Sequence, residues 1–236
     1  MIGNGGKISD ALLKFVYPRR CACCNELINY ENLVCDECAI SLKFVGENRC
    51  LKCGQEIKEC QCHKLNYIYS GIVAPFYNQG SSKKCVYGYK FNKRLFVAEF
   101  LAKYICRDIE RYFSDIKFDC VCHVPMTALA SRKREFDHSK YLAKRIATNV
   151  KLKFDGNLLK KVVENNPQHQ LNFSERPLNV KGVYSANKKA EGKTILLVDD
   201  IKTTGATLNE CAKQLLLAGA EDVYCVTALI GRNKGL

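Results

Sequence analysis

Apolar residues recur with two different periods along residues 68–236. Residues 194–198 form a continuous apolar run after Thr194, as a strand buried on both faces requires. Leu208, Cys211, Ala212, Leu215 and Leu216 then follow the i, i+3, i+4, i+7, i+8 spacing of one helix face. Gly219 stands where such a helix should end, since helices commonly close on a left-handed residue and glycine takes that backbone without strain. Residues 223–229 are a second apolar run. Strand, helix and strand in this order predict a βαβ unit with parallel strands and a right-handed crossover. The same patterns predict a helix over 95–105, with Val97, Phe100, Leu101, Tyr104 and Ile105 on one face. They predict a buried strand over 119–124, stopped by Pro125, and a helix capped by Ser139 with Leu142, Ile146 and Val150 facing inward. The alternation from about Ile68 onward reads as α/β.

The first 70 residues have another texture. Residues 1–17 read as a leader helix of one or two turns, capped by Ser9 and with Leu12, Leu13 and Val16 on its apolar face. Residues 18–64 lack long apolar runs. So short a stretch cannot bury enough core to fold unaided, and it needs a staple. Composition supplies one: nine of the fifteen cysteines lie between Cys21 and Cys62. They are spaced Cys21-x2-Cys24, ten residues, Cys35-x2-Cys38, then Cys50-x2-Cys53, six residues, Cys60-x-Cys62. A pair two residues apart can curl round one tetrahedral ion, and two such pairs close a four-thiolate site. Zn2+ suits four thiolates and is redox-silent, so two structural zinc ions are expected on Cys21, Cys24, Cys35 and Cys38 and on Cys50, Cys53, Cys60 and Cys62. An interleaved pairing stays open, as do Cys23 and His63 as substitute ligands; an iron–sulfur cluster is the alternative metal. Cys85, Cys106, Cys120, Cys122, Cys211 and Cys225 sit among apolar neighbours and are expected to fill core positions.

The 236 residues are 47% hydrophobic and 26% charged, which is globular rather than disordered. No apolar run approaches the roughly 20 residues of a membrane span, and no secretory signal is visible at the start. A cytoplasmic protein without membrane insertion is therefore expected, and the reduced state of cytosolic thiols argues against a disulfide framework. The formal charge is +13, and residues 71–236 carry 28 Lys+Arg against 16 Asp+Glu. Such a surface favours polyanions: nucleic acid, nucleotides or pyrophosphate compounds.

The chemistry concentrates at residues 198–208, Val-Asp-Asp-Ile-Lys-Thr-Thr-Gly-Ala-Thr-Leu. An apolar strand ends in Asp199 and Asp200, a hydroxyl-rich turn follows, and a helix begins. In open α/β sheets ligands bind beyond the carboxyl ends of strands. Backbone N–H groups from Thr204 to Thr207 can surround a phosphate at the helix start, Gly205 leaves room for it, and Thr203, Thr204 and Thr207 add hydroxyls. Like charge keeps both aspartates off the phosphate and suits them to sugar hydroxyls beside it. The combination points to a ribose 5-phosphate. No G-K-[ST] follows, so this is not a P-loop.

This segment resembles the phosphoribosyl pyrophosphate (PRPP) signature of type I phosphoribosyltransferases, and nearly the whole chain resembles the ComF family of bacterial competence proteins. Val124-Pro125-Met126 with 132–139, Arg-Lys-Arg-Glu-Phe-Asp-His-Ser, looks like that family's V-P-V-P and R-G-F-D/N-H/Q stretch. Pro167-Gln168, Glu175-Arg176 and Asn179-Val180-Lys181-Gly182 match further. Met126-Thr127 and Glu135 depart from the usual Val-Pro and Gly. The resemblance implies a parallel-sheet type I phosphoribosyltransferase (Rossmann-like) fold behind a double zinc ribbon, with the leader at 1–17, the ribbon at 18–66 and the phosphoribosyltransferase-like domain at 67–236. It implies that Asp199 and Asp200 are the catalytic pair and that PRPP with Mg2+ lies on Asp199, Asp200, Thr203, Thr204, Gly205, Ala206 and Thr207. Arg132 and Arg134 would belong to the pyrophosphate loop and Arg176 to a hood over residues 168–179. The reaction, if the site is catalytic, is displacement of pyrophosphate from C1 of PRPP, with His123 and His138 near enough in sequence to consider for proton transfer. The implied role is handling of incoming single-stranded DNA with a competence helicase as partner. A salvage-type phosphoribosyltransferase and a zinc-ribbon adaptor with a non-catalytic PRPP fold are the alternatives. Lys83, Lys84, Lys90, Lys93 and Arg94 form a second basic group that can meet substrate phosphate, DNA or only water; its interleaved Tyr87, Tyr89 and Phe91 read either as stacking faces for single-stranded DNA or as one buried aromatic face of a strand.

Overall fold

The computed structural model describes residues 18–60, 62, 66–92, 94–126, 136–163 and 182–232. The leader at 1–17, His63, Lys93, Arg132, Arg134 and the hood segment with Arg176 lie outside these residues.

In chain order the described helices are α1 (Asp36–Ser41), α2 (Gly80–Phe91), α3 (Val97–Tyr112), α4 (His138–Asn149) and α5 (Ala206–Leu217). The strands are β1 (Gly71–Val73), β2 (Phe76–Tyr77), β3 (Cys120–His123), β4 (Lys153–Phe154), β5 (Leu159–Lys161), β6 (Tyr184–Ala186), β7 (Thr194–Lys202) and β8 (Asp222–Ile230). The main sheet runs β1-β8-β7-β3-β4, with β2 also on β8, and every pairing within it is parallel. β5 and β6 form a separate antiparallel pair. This is the expected α/β parallel-sheet architecture.

Side-chain alternation along β7 divides the core. Leu196 and Val198 face α2, α3 and α4 with Val121 and Val226, whereas Ile195 and Leu197 face α5 with Cys120, Cys122 and Cys225. The β7-α5-β8 unit has parallel, neighbouring strands. Gly219 closes α5 at φ +92, donating to the Leu216 carbonyl while Ala220 N–H reaches that of Leu215. Cys85, Cys106, Cys120, Cys122, Cys211 and Cys225 are all buried, as core residues should be.

Four local expectations are corrected. The predicted 95–105 helix is Val97–Tyr112, because its apolar face continues through Ile109. β7 does not stop at Val198: it continues to Lys202, with Asp199 opposite Thr227 and Lys202 opposite Ile230, since β8 is long enough to keep the ladder going. The cap of α4 is Asp137, whose carboxylate accepts from Lys140 N–H at 2.9 Å, and Ser139 lies inside the helix. Residues 80–91 are a helix rather than a strand. Cys85, Val86 and Tyr89 turn inward at helical spacing, while Tyr87 and Phe91 stay outside. Alternate aromatics at 87, 89 and 91 match the period of a strand; in the helix Tyr89 lies opposite Tyr87 and Phe91.

The ribbon is not an appendage. Cys21, Ala22, Cys23, Cys38 and Leu42 share one core with Val86, Tyr89, Phe100 and Leu101 on the α2-α3-α4 face. Cys53 shares the other with Tyr67, Tyr69, Ile72, Leu197 and Leu215 on the α5 face. The two cysteine groups therefore dock on opposite faces of the same sheet.

Candidate functional site: two thiolate clusters and a phosphate loop

The cysteines assemble sequentially, as Cys21, Cys24, Cys35 and Cys38 and as Cys50, Cys53, Cys60 and Cys62, with the sulfurs of each group all within 4.8 Å of one another. Cys24 and Cys35 sulfurs are 3.7 Å apart, Cys50 and Cys62 3.6 Å, and Cys53 and Cys60 3.7 Å. Zinc–sulfur bonds of roughly 2.3 Å give a tetrahedron with edges of roughly 3.8 Å, so both groups have the dimensions of a closed zinc site. All fifteen cysteines are free thiols. Burial works against the Cys21 thiolate, but backbone N–H groups of Cys24, Cys35 and Cys23 outweigh it and bring the thiol down to about 7. Cys50 is balanced in the same way and also falls to about 7, helped by the Cys53 and Lys52 N–H groups. Cys23 is outside the four-sulfur group and is buried between Cys85 and Cys38. Four sulfurs per ion leave no open position, so the chemistry at both sites is structural.

The candidate phosphate loop, residues 203–207, lies at the carboxyl end of β7. Gly205 caps α5 at φ +83, a left-handed conformation, and no side chain caps the helix from that position. A Cβ there would stand 2.9 Å from Tyr67 Cε1 and 3.0 Å from Lys202 Cε, so glycine is required for space as well as for backbone. Thr204 is buried and its hydroxyl accepts from Ala206 N–H at 3.2 Å, which shapes the turn from inside. Thr203, Ala206 and Thr207 remain partly exposed on the loop.

Alternation sends the two aspartates to different partners. Asp199 accepts from Ser139 Oγ at 3.0 Å and from Asp200 N–H at 2.8 Å. Its carboxyl is pushed up to about 7 by burial and by the Asp200 charge, against the pull of Lys90. Asp200 is buried and pairs with Lys90 Nζ at 2.7 Å. Lys90, read from sequence only as one of a basic group, comes from α2 to the centre of the site. His123 ends β3 opposite Val198, with Nε2 3.5 Å from Asp137. Burial works to raise the Asp137 carboxyl, but hydrogen bonds from His123 and Lys140 N–H hold it below its usual range. His138 is buried and packed edge-on against Tyr89 and Phe136.

Three residues of this neighbourhood escaped the sequence reading: Tyr67, Lys202 and Asn209. Lys202 donates to the Tyr67 hydroxyl at 3.2 Å, and that hydroxyl donates to the Thr204 carbonyl at 3.3 Å. Asn209 accepts from Ile68 N–H and donates to the Asn66 carbonyl at 3.3 Å. A lysine between the apolar strand and the threonines was the one local signal; Tyr67 had none.

Residues 12–67 match the double zinc ribbon domain, and residues 138–235 match the phosphoribosyl transferase domain. The chain is 23% identical over 211 residues to the DNA utilization protein YhgH of Salmonella typhimurium, covering 87% of this chain and 88% of that protein. It is 23% identical over 221 residues to competence protein F of Haemophilus influenzae, covering 84% and 96%. It is 25% identical over 216 residues to competence protein ComFC of Streptococcus pneumoniae, covering 84% and 87%. No helix among the described residues is long and apolar enough to cross a membrane. With both cysteine groups closed to zinc dimensions, the sheet parallel throughout and these relatives matched across most of their length, the chain joins a double zinc ribbon to a phosphoribosyl transferase domain and resembles the ComF competence proteins along most of its length.

Proposed function

We propose that the chain binds PRPP with Mg2+ at the carboxyl end of β7 and takes part in cytoplasmic handling of single-stranded DNA during natural transformation. The observation that carries the first half is the direct succession of a buried strand, two aspartates, a left-handed glycine and a helix N-terminus. The 5-phosphate would sit on Thr203, Thr204, Gly205, Ala206 and Thr207, where N–H groups and the helix dipole favour an anion. Asp199 and Asp200 would accept the ribose hydroxyls, exchanging the contacts now made with Ser139 and Lys90. Mg2+ bound together with PRPP would offset the charge of the pyrophosphate, and Asp199 and Asp200 are the residues that would help to hold it. Arg132, Arg134 and Arg176 are proposed for the pyrophosphate loop and hood on resemblance alone, as is a competence helicase partner.

Calorimetric titration with PRPP and Mg2+, followed by pyrophosphate release with free bases and with single-stranded DNA, tests this reading. Release with a free base would make the chain a salvage enzyme. Binding without release fits a ligand-gated DNA protein. No binding would leave a zinc-ribbon adaptor.

The Asp199 carboxyl adds a pH dependence. Ribose hydroxyls need an ionised acceptor, so PRPP affinity should rise as pH increases through about 7. Stability from this group runs the other way. Its folded value lies above the roughly 3.9 of an unfolded aspartate, so its contribution is complete below that and is lost as pH rises through about 7. Asp199→Asn should flatten both trends. Parallel titrations and thermal melts on either side of neutrality, with identical profiles for parent and variant, would show that Asp199 does not titrate there.

For DNA, the relevant face is that of α2. Lys83, Lys84, Tyr87 and Phe91 share it at helical spacing, with Tyr87 40% and Phe91 57% exposed. Lys83 Nζ lies 5.3 Å from the Tyr87 ring centre, and the two aromatic rings are 5.7 Å apart. Cations and exposed rings along one line are what a single strand needs for its phosphates and its bases. Arg94 does not join them, since its guanidinium packs on Gly88 and reaches the Cys23 carbonyl at 3.4 Å. Lys83→Glu with Lys84→Glu should reduce the log–log salt slope by about 1.4, two phosphates at about 0.7 each. Tyr87→Ala should cost roughly 1–3 kcal/mol of binding without unfolding the chain. If the charge-reversed protein holds single-stranded DNA as well as the parent at low salt, the face is ordinary solvated surface.

A further inference from the structure

Lys202 is the last residue of β7 and is only 1% exposed. Burying an ammonium group is costly unless negative charge faces it. Burial disfavours the Lys202 ammonium, and the charge that would act against this is that of the nearby cysteines Cys53, Cys62, Cys225 and Cys50. Four thiolates around one Zn2+ carry a net double negative charge, so the second zinc site is the natural counter-charge for this lysine. On its other side the ammonium donates to the Tyr67 hydroxyl, which donates to the Thr204 carbonyl inside the phosphate loop. Tyr67 and Lys202 are also the two side chains that a Cβ at Gly205 would strike.

The backbone repeats the link. In the Cys53-Gly54-Gln55 knuckle, Gly54 has φ +80, and a Cβ there would lie 2.8 Å from Ile230 Cδ1. Gln55 is wholly buried and its amide donates to the Gly231 carbonyl, while Gly231 N–H donates to the Lys202 carbonyl at 2.8 Å. Past the last cysteine, the backbone of Asn66 and Ile68 holds Asn209 in the first turn of α5. The stretch that carries the second cluster thus grips the phosphate loop at the strand that enters it and at the helix that leaves it.

The geometry points to Lys202 and Tyr67 as positioning residues that couple the second zinc site to the phosphate loop, so that zinc retention at Cys50, Cys53, Cys60 and Cys62 and anion binding at residues 203–207 support each other. The ligand half rests on the PRPP reading; the zinc half does not. Coupling of this kind is reciprocal: a ligand that holds the loop must hold the zinc to the same degree.

The test uses the full zinc-loaded chain with Lys202→Met, which keeps length and removes charge, and Tyr67→Phe, which removes only the bridge. Zinc release to an excess of chelator is followed by a metallochromic dye, and the phase lost in Cys62→Ser identifies the second site. Lys202→Met should speed that phase by at least about fivefold, the low end of a typical coupling, and leave the first site unchanged. Tyr67→Phe should weaken PRPP by a comparable factor. Saturating PRPP should slow second-site release in the parent and lose that effect in both variants. Unchanged second-site release in Lys202→Met overturns the inference. So does PRPP binding that leaves parental release rates untouched. If the parent binds no PRPP, the proposed function fails by itself, and the ligand-free release rates still decide the coupling. Should Lys202→Met not fold, Tyr67→Phe with and without PRPP decides it.

Discussion

Stripping zinc from this chain should melt far more than the ribbon. The sequence alone leads one to expect that chelation unfolds residues 18–64 and spares an α/β part with its own apolar strands. The structure revises that expectation. Cys21, Ala22, Cys23, Cys38 and Leu42 are built into the core that holds α2, α3 and α4, and Cys53 into the core under α5. Structural zinc contributes roughly 10–16 kcal/mol in isolated zinc-finger peptides. A whole domain has only about 5–15 kcal/mol of net stability. Losing either ion should therefore exceed the margin of the face it supports. Arg49, pinned by Asp108 at 2.8 Å and by the Val45, Gly46 and Ala74 carbonyls, further binds the ribbon to α3. The expected result is one cooperative melt, displaced strongly downward by chelator, with amide protection lost across α2 and α3 as well as the ribbon. Two transitions, with the α/β part melting at its original temperature, would mean the ribbon is dispensable to the core.

The second large effect is expected at the aspartates. Asp199→Asn together with Asp200→Asn should weaken PRPP by a hundredfold or more. Each lost hydrogen bond to a charged group costs roughly 1.5–3 kcal/mol, and about 1.4 kcal/mol is tenfold in affinity. The reason for expecting a folded variant changes with the structure, because both residues lie within β7 rather than beyond it. An asparagine at 199 still offers an oxygen to Ser139 Oγ and Asp200 N–H, and it removes a carboxylate whose ionisation burial opposes. At 200 the pairing with Lys90 is lost, so that single variant should be the less stable of the two. Calorimetry on the singles and the double, with thermal melts alongside, separates binding from stability. Unchanged affinity in a folded double variant would remove the phosphoribosyl reading of the loop.

The sequence by itself determined the features that depend on near neighbours. Helical and strand periods around residues 97–109, 194–198, 208–216 and 223–229 report which face of each element is apolar, and that follows from spacing alone. The zinc ligands were legible because two cysteines two residues apart have one way to share an ion, and short intervals made sequential pairing the simplest closure. The strand-to-helix turn proposed as the phosphate loop was legible because strand, carboxylates, glycine and helix start fall within about ten consecutive residues. The α2 face was misread because aromatics at 87, 89 and 91 alternate as in a strand, and only packing of Cys85, Val86 and Tyr89 against α3 and the sheet shows that they belong to a helix. The partners of the aspartates were beyond reach for another reason. Ser139 meets Asp199 across 60 residues and Tyr67 meets Lys202 across 135. Such contacts depend on sheet order and on which side of the sheet each ribbon lands, and no local pattern encodes either. Tertiary structure alone decided that Lys90 pairs with Asp200 and that a cysteine knuckle stands behind the turn at residues 203–205, because burial of charge is settled only when distant segments close over it.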